Sequence, residues 1–110
     1  MNKESNKYTY RVAYSPEDEQ FVGTVLEFSS LSWLDDSPVA ALNGIQKVVD
    51  EAIDILRADG QEVPQPFSAR HYSGKFTVRI PPATHRRLAI EAQEQHISFN
   101  RLISEKLNAA

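Results

Sequence analysis

Hydrophobic and polar positions alternate from Tyr8 to Tyr14, with Tyr8, Tyr10, Val12 and Tyr14 on one side and Thr9, Arg11 and Ala13 on the other. A period of two is the mark of a half-buried strand. Ser15 to Glu19 reads as a turn, because Pro16 pre-sets φ and the acidic residues after it hold the segment in water. Phe21 to Phe28 returns as the second strand of an antiparallel hairpin, and Leu31 to Leu34 adds a short third strand. The period then changes. Leu42, Ile45, Val49, Ala52, Ile53 and Leu56 recur three and four apart, with Ser37 placed to cap, Pro38 at the first helical position and Gly60 just past the end. This helix covers the apolar face of the meander, since a bare hairpin is marginal in water. Glu62 to Phe67 could add an edge strand, its Pro64 and Pro66 excluding it from the middle of a sheet.

Ser68 to Gly74 has no periodicity and reads as a linker, giving modules at residues 1–70 and 71–110. Beyond it Phe76, Val78 and Ile80 alternate with Lys75, Thr77 and Arg79, and Pro81-Pro82 ends the strand. A helix follows to about Gln95 with Leu88, Ala89 and Ala92 as its stripe. Ser98 then caps a last helix bearing Leu102, Ile103 and Leu107, and Ile97 with Leu102 forms a hydrophobic staple. The tail is too short for an independent core, and its strand has no partner within it. A second chain supplies both: the two strands pair antiparallel about a twofold axis, and the helices of both chains share one core. The homodimer sets two copies of Lys75, Thr77 and Arg79 side by side on a ribbon that fits the major groove of double-stranded DNA, where Lys and Arg donate to guanine and Thr bonds or touches a methyl. Ser98, Phe99 and Asn100, at the start of the last helix, offer N–H groups to flanking phosphates. Arg86 and Arg87 either reach phosphate or pair with Glu91 on the helix surface.

Charge supports this division. The 110 residues carry a formal net charge of -3. Through Arg70 there are six basic and twelve acidic residues; from His71 onward there are six basic and three acidic. An acidic module fits a basic protein, and a basic one fits nucleic acid. With no cysteine, disulfides, thiolate zinc sites and cysteine nucleophiles fall away. No apolar run approaches the roughly 18 residues that span a bilayer, and Met1 to Lys7 lacks the apolar core of a signal peptide, so a cytoplasmic location away from membranes is expected. Enzymatic hydrolysis would need carboxylates converging on a metal. Only Glu27 lies in a strand interior, Asp35 and Asp36 sit in a turn, and Asp50, Glu51 and Asp54 lie on the exposed side of the helix. His71, His85 and His96 have no spacing for a shared metal, so no catalytic residue, metal or cofactor is expected.

Lys75 to Leu107 resembles the ribbon-helix-helix DNA-binding fold of the Arc and MetJ type, on its basic strand ending in Pro, on His85-Arg86-Arg87-Leu88-Ala89 and on Ile97-Ser98-Phe99-Asn100-Arg101-Leu102-Ile103. His96 stands where relatives commonly carry Gly or Asn in the left-handed conformation. Tyr8 to Pro66 resembles the N-terminal domain of HicB antitoxins, on the aromatic hairpin, Phe21-Val22-Gly23-Thr24-Val25 and Asp36-Ser37-Pro38-Val39-Ala40-Ala41-Leu42; Ser29-Ser30 replaces the family's frequent Pro-Gly. The resemblance implies an α+β chain: a partial ribonuclease-H-like β-β-β-α-β domain without nuclease activity, then a ribbon-helix-helix (β-α-α) dimerisation domain. It implies an antitoxin of a type II toxin–antitoxin system that binds a HicA-like mRNA-cleaving toxin and represses its own operon. It assigns no toxin-contacting residue, and it leaves room for assembly beyond the dimer. The alternative is a stand-alone ribbon-helix-helix regulator whose N-terminal domain senses a ligand or another protein.

Overall fold

Alternating β-branched and aromatic residues draw Tyr10–Ser15 (β1) and Gln20–Val25 (β2) into a hairpin, and Ser32–Asp35 (β3) pairs with the far side of β2. In the computed structural model, which describes residues 3–109 and leaves Met1, Asn2 and Ala110 outside the description, the three strands form an antiparallel sheet in the order β1-β2-β3. Three α-helices, Pro38–Ala58 (α1), Pro82–Glu94 (α2) and Phe99–Asn108 (α3), and two 3-10 turns, Lys3–Lys7 and Phe67–Ala69, complete an α+β chain. The chain separates after Tyr72 into two units.

In the first unit α1 lies on the sheet. Ser37 caps it by accepting from Ala40 N–H at 3.1 Å. Gly60, at φ +69°, ends it in a Schellman turn, with Gly60 N–H donating to Arg57 O and Gln61 N–H to Leu56 O. Ala41, Ile45, Val49 and Ile53 are fully buried at a strict spacing of four. Each of the larger three contributes about 1.5 to 3 kcal/mol by leaving water. The core joins Ile45, Val49 and Ile53 to Val25, Phe28 and Tyr8, whose ring meets that of Phe28 edge to face at 5.2 Å.

Two glycines set how closely the helix approaches. Gly23, opposite both Val12 and Trp33 on the central strand, lies so near α1 that a Cβ there would fall 2.6 Å from Ala41 O and 2.9 Å from Ile45 Cγ2. Gly44 receives the indole of Trp33, with Cδ1 2.0 Å from where its Cβ would stand. This explains why Ala41 is buried although the stripe read from the sequence starts at Leu42: a small residue is needed where backbone meets backbone.

Several expected strands are corrected. The second strand stops at Val25 rather than Phe28, because Phe28 turns inward to pack on Tyr8 and its carbonyl closes a turn with Leu31 N–H at 3.1 Å. The last strand of the expected β-β-β-α-β order is not formed. Pro64 and Pro66 have no N–H for a ladder, and side chains hold the segment instead, with Tyr8 OH donating to Pro64 O and Ser68 Oγ to Lys7 O, both at 2.7 Å. Lys75 to Pro81 forms no strand in the single chain and is exposed throughout, since it has no ladder partner.

In the second unit α2 and α3 pack through Ala92 and Leu102, each 3% exposed and the only buried hydrophobic residues described there. Their connection repeats the Schellman geometry: His96 takes φ +58°, its N–H donates to Gln93 O, and Ile97 N–H donates to Ala92 O. The left-handed position expected for His96 is therefore present. Ser98 caps α3 by accepting from Arg101 N–H at 3.1 Å.

Gly23→Ala should destabilise the first unit by about 1 to 3 kcal/mol, because the nearest obstacle is backbone and cannot swing aside. Urea unfolding followed by Trp33 fluorescence measures it, and an unchanged midpoint would show that α1 is not seated on Gly23.

Candidate functional site

Phe76, Val78 and Ile80 are 71%, 63% and 39% exposed, a run of apolar side chains at every second position with nothing in its own chain covering it. Lys75, Thr77 and Arg79 alternate with them and are also exposed. Leu107 on α3 is also exposed, at 61%, so the small basic second unit leaves several apolar side chains unburied. An unburied apolar surface on so small a unit marks an interaction site.

The residues at the start of α3 are distributed as follows. Ser98 Oγ accepts the cap bond from Arg101 N–H, which leaves its own O–H, beside the backbone N–H groups of the first turn, able to donate to an anion. Phe99 is half-buried with its ring 5.1 Å from that of His85, which fixes the start of α3 against α2. Asn100 is exposed. The structure thus brings Ser98, Phe99 and Asn100 together on one helix end, and places Lys75, Thr77 and Arg79 on one extended segment.

The alternative partner considered for Arg87 is already taken. Glu91 pairs with Lys106 of α3 at 3.2 Å, and Arg101 pairs with Glu105 at 3.1 Å. Arg86 and Arg87 are exposed and have no ion pair with a described residue. They join Lys75 and Arg79 as the unengaged cations of the second unit, a distinction that only the packing of α3 on α2 decides.

Glu27, the one carboxylate in an expected strand interior, proves to be a staple. Its Oε1 accepts from Thr9 N–H at 3.0 Å, and its Oε2 accepts from Thr9 Oγ1 at 3.2 Å and from Phe67 N–H at 3.0 Å. Burial pushes the carboxyl up, but the bonds from the Phe67 and Thr9 backbones outweigh it and hold its pKa below the usual value of 4.5. The carboxylate ties the start of β1 to the segment after α1. No group of three or more His, Cys, Asp or Glu among the described residues could hold a metal ion. Tyr10 is likewise engaged, donating to Ser5 O at 2.6 Å; burial, with the charges of Asp50 and Glu27, pushes its pKa to about 12 and keeps it protonated. At the other end of the sheet the Trp33 Nε1–H and the Asp36 N–H hold Asp35 below its usual range.

The fold and charge distribution define an α+β chain with a small basic helical unit that is incomplete by itself. Residues 59–107 match the model of the HicB family. The matched stretch runs from the end of α1 through most of α3. No curated protein and no solved structure matches the chain. No helix among the described residues is long and apolar enough to cross a membrane.

Because the folded pKa of Glu27 is lowered, its contribution to stability is complete above the ordinary carboxylate range and is lost as pH falls through the folded value. Glu27→Gln should cost about 1 to 3 kcal/mol at neutral pH, since an amide cannot accept all three bonds. Its stability curve should also be flatter than wild type between pH 5 and 3 in thermal unfolding; equal slopes would remove Glu27 from the acid transition.

Proposed function

We propose that this chain is the antitoxin of a type II toxin–antitoxin pair, acting in the cytoplasm. Its second unit dimerises as a ribbon-helix-helix and represses its own operon, and its first unit binds and blocks a HicA-like mRNA-cleaving toxin. The observation that carries the DNA half is the uncovered Phe76, Val78 and Ile80 series alternating with Lys75, Thr77 and Arg79. Two such segments pairing about a twofold bury the apolar series over both helix pairs and leave the polar series on a ribbon of major-groove width. Lys75, Thr77 and Arg79 then read base edges. The backbone N–H groups of Ser98, Phe99 and Asn100 take flanking phosphates, and Arg86 and Arg87 add charge.

The toxin half rests on the family match and on charge. The β-β-β-α order of the first unit is consistent with the truncated ribonuclease-H-like module that the resemblance implies, and Glu27 is held in its staple between Thr9 and Phe67. Twelve acidic residues up to Arg70 face a partner that must be basic to hold RNA, so the same field that speeds encounter also competes with RNA for the toxin.

Arg79→Ala should weaken binding to the DNA upstream of the chain's own operon by about 1 to 3 kcal/mol and relax base preference while the protein remains dimeric. Val78→Asp should break the tail pairing and abolish specific binding. Affinity titrations at two salt concentrations, with light scattering for mass, test both; wild-type affinity in Arg79→Ala overturns the groove assignment. Co-purification with the product of an adjacent reading frame tests the toxin half. A growth-neutral neighbourhood with operator binding intact would favour a stand-alone regulator.

A further inference from the structure

β1 leaves one of its edges without a partner. Leu26 N–H donates to Thr9 O at 2.9 Å, which makes Thr9 and Leu26 a hydrogen-bonded pair in the β1–β2 register. Bonded pairs alternate along an antiparallel ladder, so Arg11/Thr24, Ala13/Val22 and Ser15/Gln20 exchange bonds, and the N–H and C=O of Tyr10, Val12 and Tyr14 point away from β2. None of those outward groups bonds to a described residue. In many sheets a strand following the helix would cover such an edge, but the Pro64-Gln65-Pro66 segment forms no ladder. The opposite edge, β3, is only four residues long and runs straight into Asp35 and Asp36.

β1 also lacks the usual protection of an edge. It has no Pro, no Lys and no bulge among Tyr10–Ser15, while Ala13 is exposed and Tyr14 is 53% exposed. Its sequence complements itself in one register. With Val12 on a twofold axis, Tyr10 lies opposite Tyr14 of the second copy and Arg11 opposite Ala13, and every outward group of Tyr10, Val12 and Tyr14 finds a partner. Moving the axis to Arg11 sets like charges face to face, and moving it to Ala13 leaves Tyr10 unpaired.

We propose that the free edge of β1 binds β1 of a second copy of this chain, antiparallel about Val12, making one six-stranded sheet from two first units. This interface is separate from the tail pairing proposed above and does not rest on the antitoxin reading. It would give the chain two self-associating surfaces, and with them a route to assemblies beyond the dimer.

The chain contains no cysteine, so introduced thiols report the register directly. Arg11 and Ala13 of opposite copies form a non-hydrogen-bonded pair with Cα atoms about 4.5 Å apart, within disulfide reach, whereas 11 to 11 and 13 to 13 are diagonal neighbours at roughly 7 to 8 Å and out of reach. The full-length Arg11→Cys/Ala13→Cys double variant should form a disulfide-linked dimer under mild oxidation at least about tenfold faster than either single variant. Adding Val12→Pro, which removes only an outward N–H, should abolish that advantage. In the cysteine-free chain Ala13→Arg, which faces Arg11 of the second copy, should weaken self-association about tenfold, and Ala13→Glu should strengthen it. Circular dichroism confirms that each variant is folded. Equal cross-linking in double and single variants overturns the proposal, as does an indifferent Val12→Pro. If Val12→Pro abolishes binding of a co-expressed neighbouring basic protein and leaves the cross-link unchanged, the edge belongs to that partner and the self-pairing is wrong.

Discussion

An extended backbone has to find hydrogen-bonding partners, and this chain leaves two stretches of extended backbone short of them. In the first unit the shortfall is one side of β1, where Tyr10, Val12 and Tyr14 direct N–H and C=O groups outward. In the second it is the whole of Lys75 to Ile80, which has neither ladder nor cover. The helices meet the requirement locally: α1 is capped by Ser37 and closed by Gly60, and α3 is capped by Ser98, while His96 closes α2. Water satisfies the open groups in the monomer, so the cost is not instability. It is an unspent capacity for pairing, and that capacity connects this fold to assembly.

The two units reach their cores by different means. In the first, a central-strand glycine lets α1 lie against the sheet, and Glu27 then ties β1 to the segment after the helix. A carboxylate that accepts three hydrogen bonds from two parts of the chain is part of the framework. Its lowered pKa follows from that role, and reading it as a sign of catalysis would mistake a staple for a nuclease ligand. Among the described residues of the second unit only Ala92 and Leu102 are buried hydrophobics, a small apolar area to set against the entropy of ordering two helices. Its apolar series and its cations are interleaved residue by residue, so covering the first necessarily aligns the second.

The three-stranded hairpin and meander and the three α-helices were legible in the periodicity, as were the caps Ser37 and Ser98, the left-handed His96 and the division of charge, because each is written in neighbouring residues; the strands expected after α1 and at Lys75 to Pro81 are not formed in the single chain. Less legible was whatever depends on contact between distant ones. Phe28 continues the strand pattern of its neighbours, yet it leaves the sheet to pack on Tyr8. Arg87 and Glu91 are spaced for an ion pair within one helix, yet Lys106 of α3 captures Glu91.

By itself, then, the sequence determined the helices and the hairpin, the acidic and basic halves, and the alternation of apolar and polar residues from Lys75 to Ile80. Only the tertiary structure decided that Glu27 is a staple, that Gly23 is the seat of α1, that Arg86 and Arg87 are unengaged, and that β1 keeps an open edge. The reason is one of range. Propensity and capping act within a few residues, whereas burial, ion-pair competition and tertiary hydrogen bonds are settled by groups up to 61 positions apart, as Lys7 and Ser68 are.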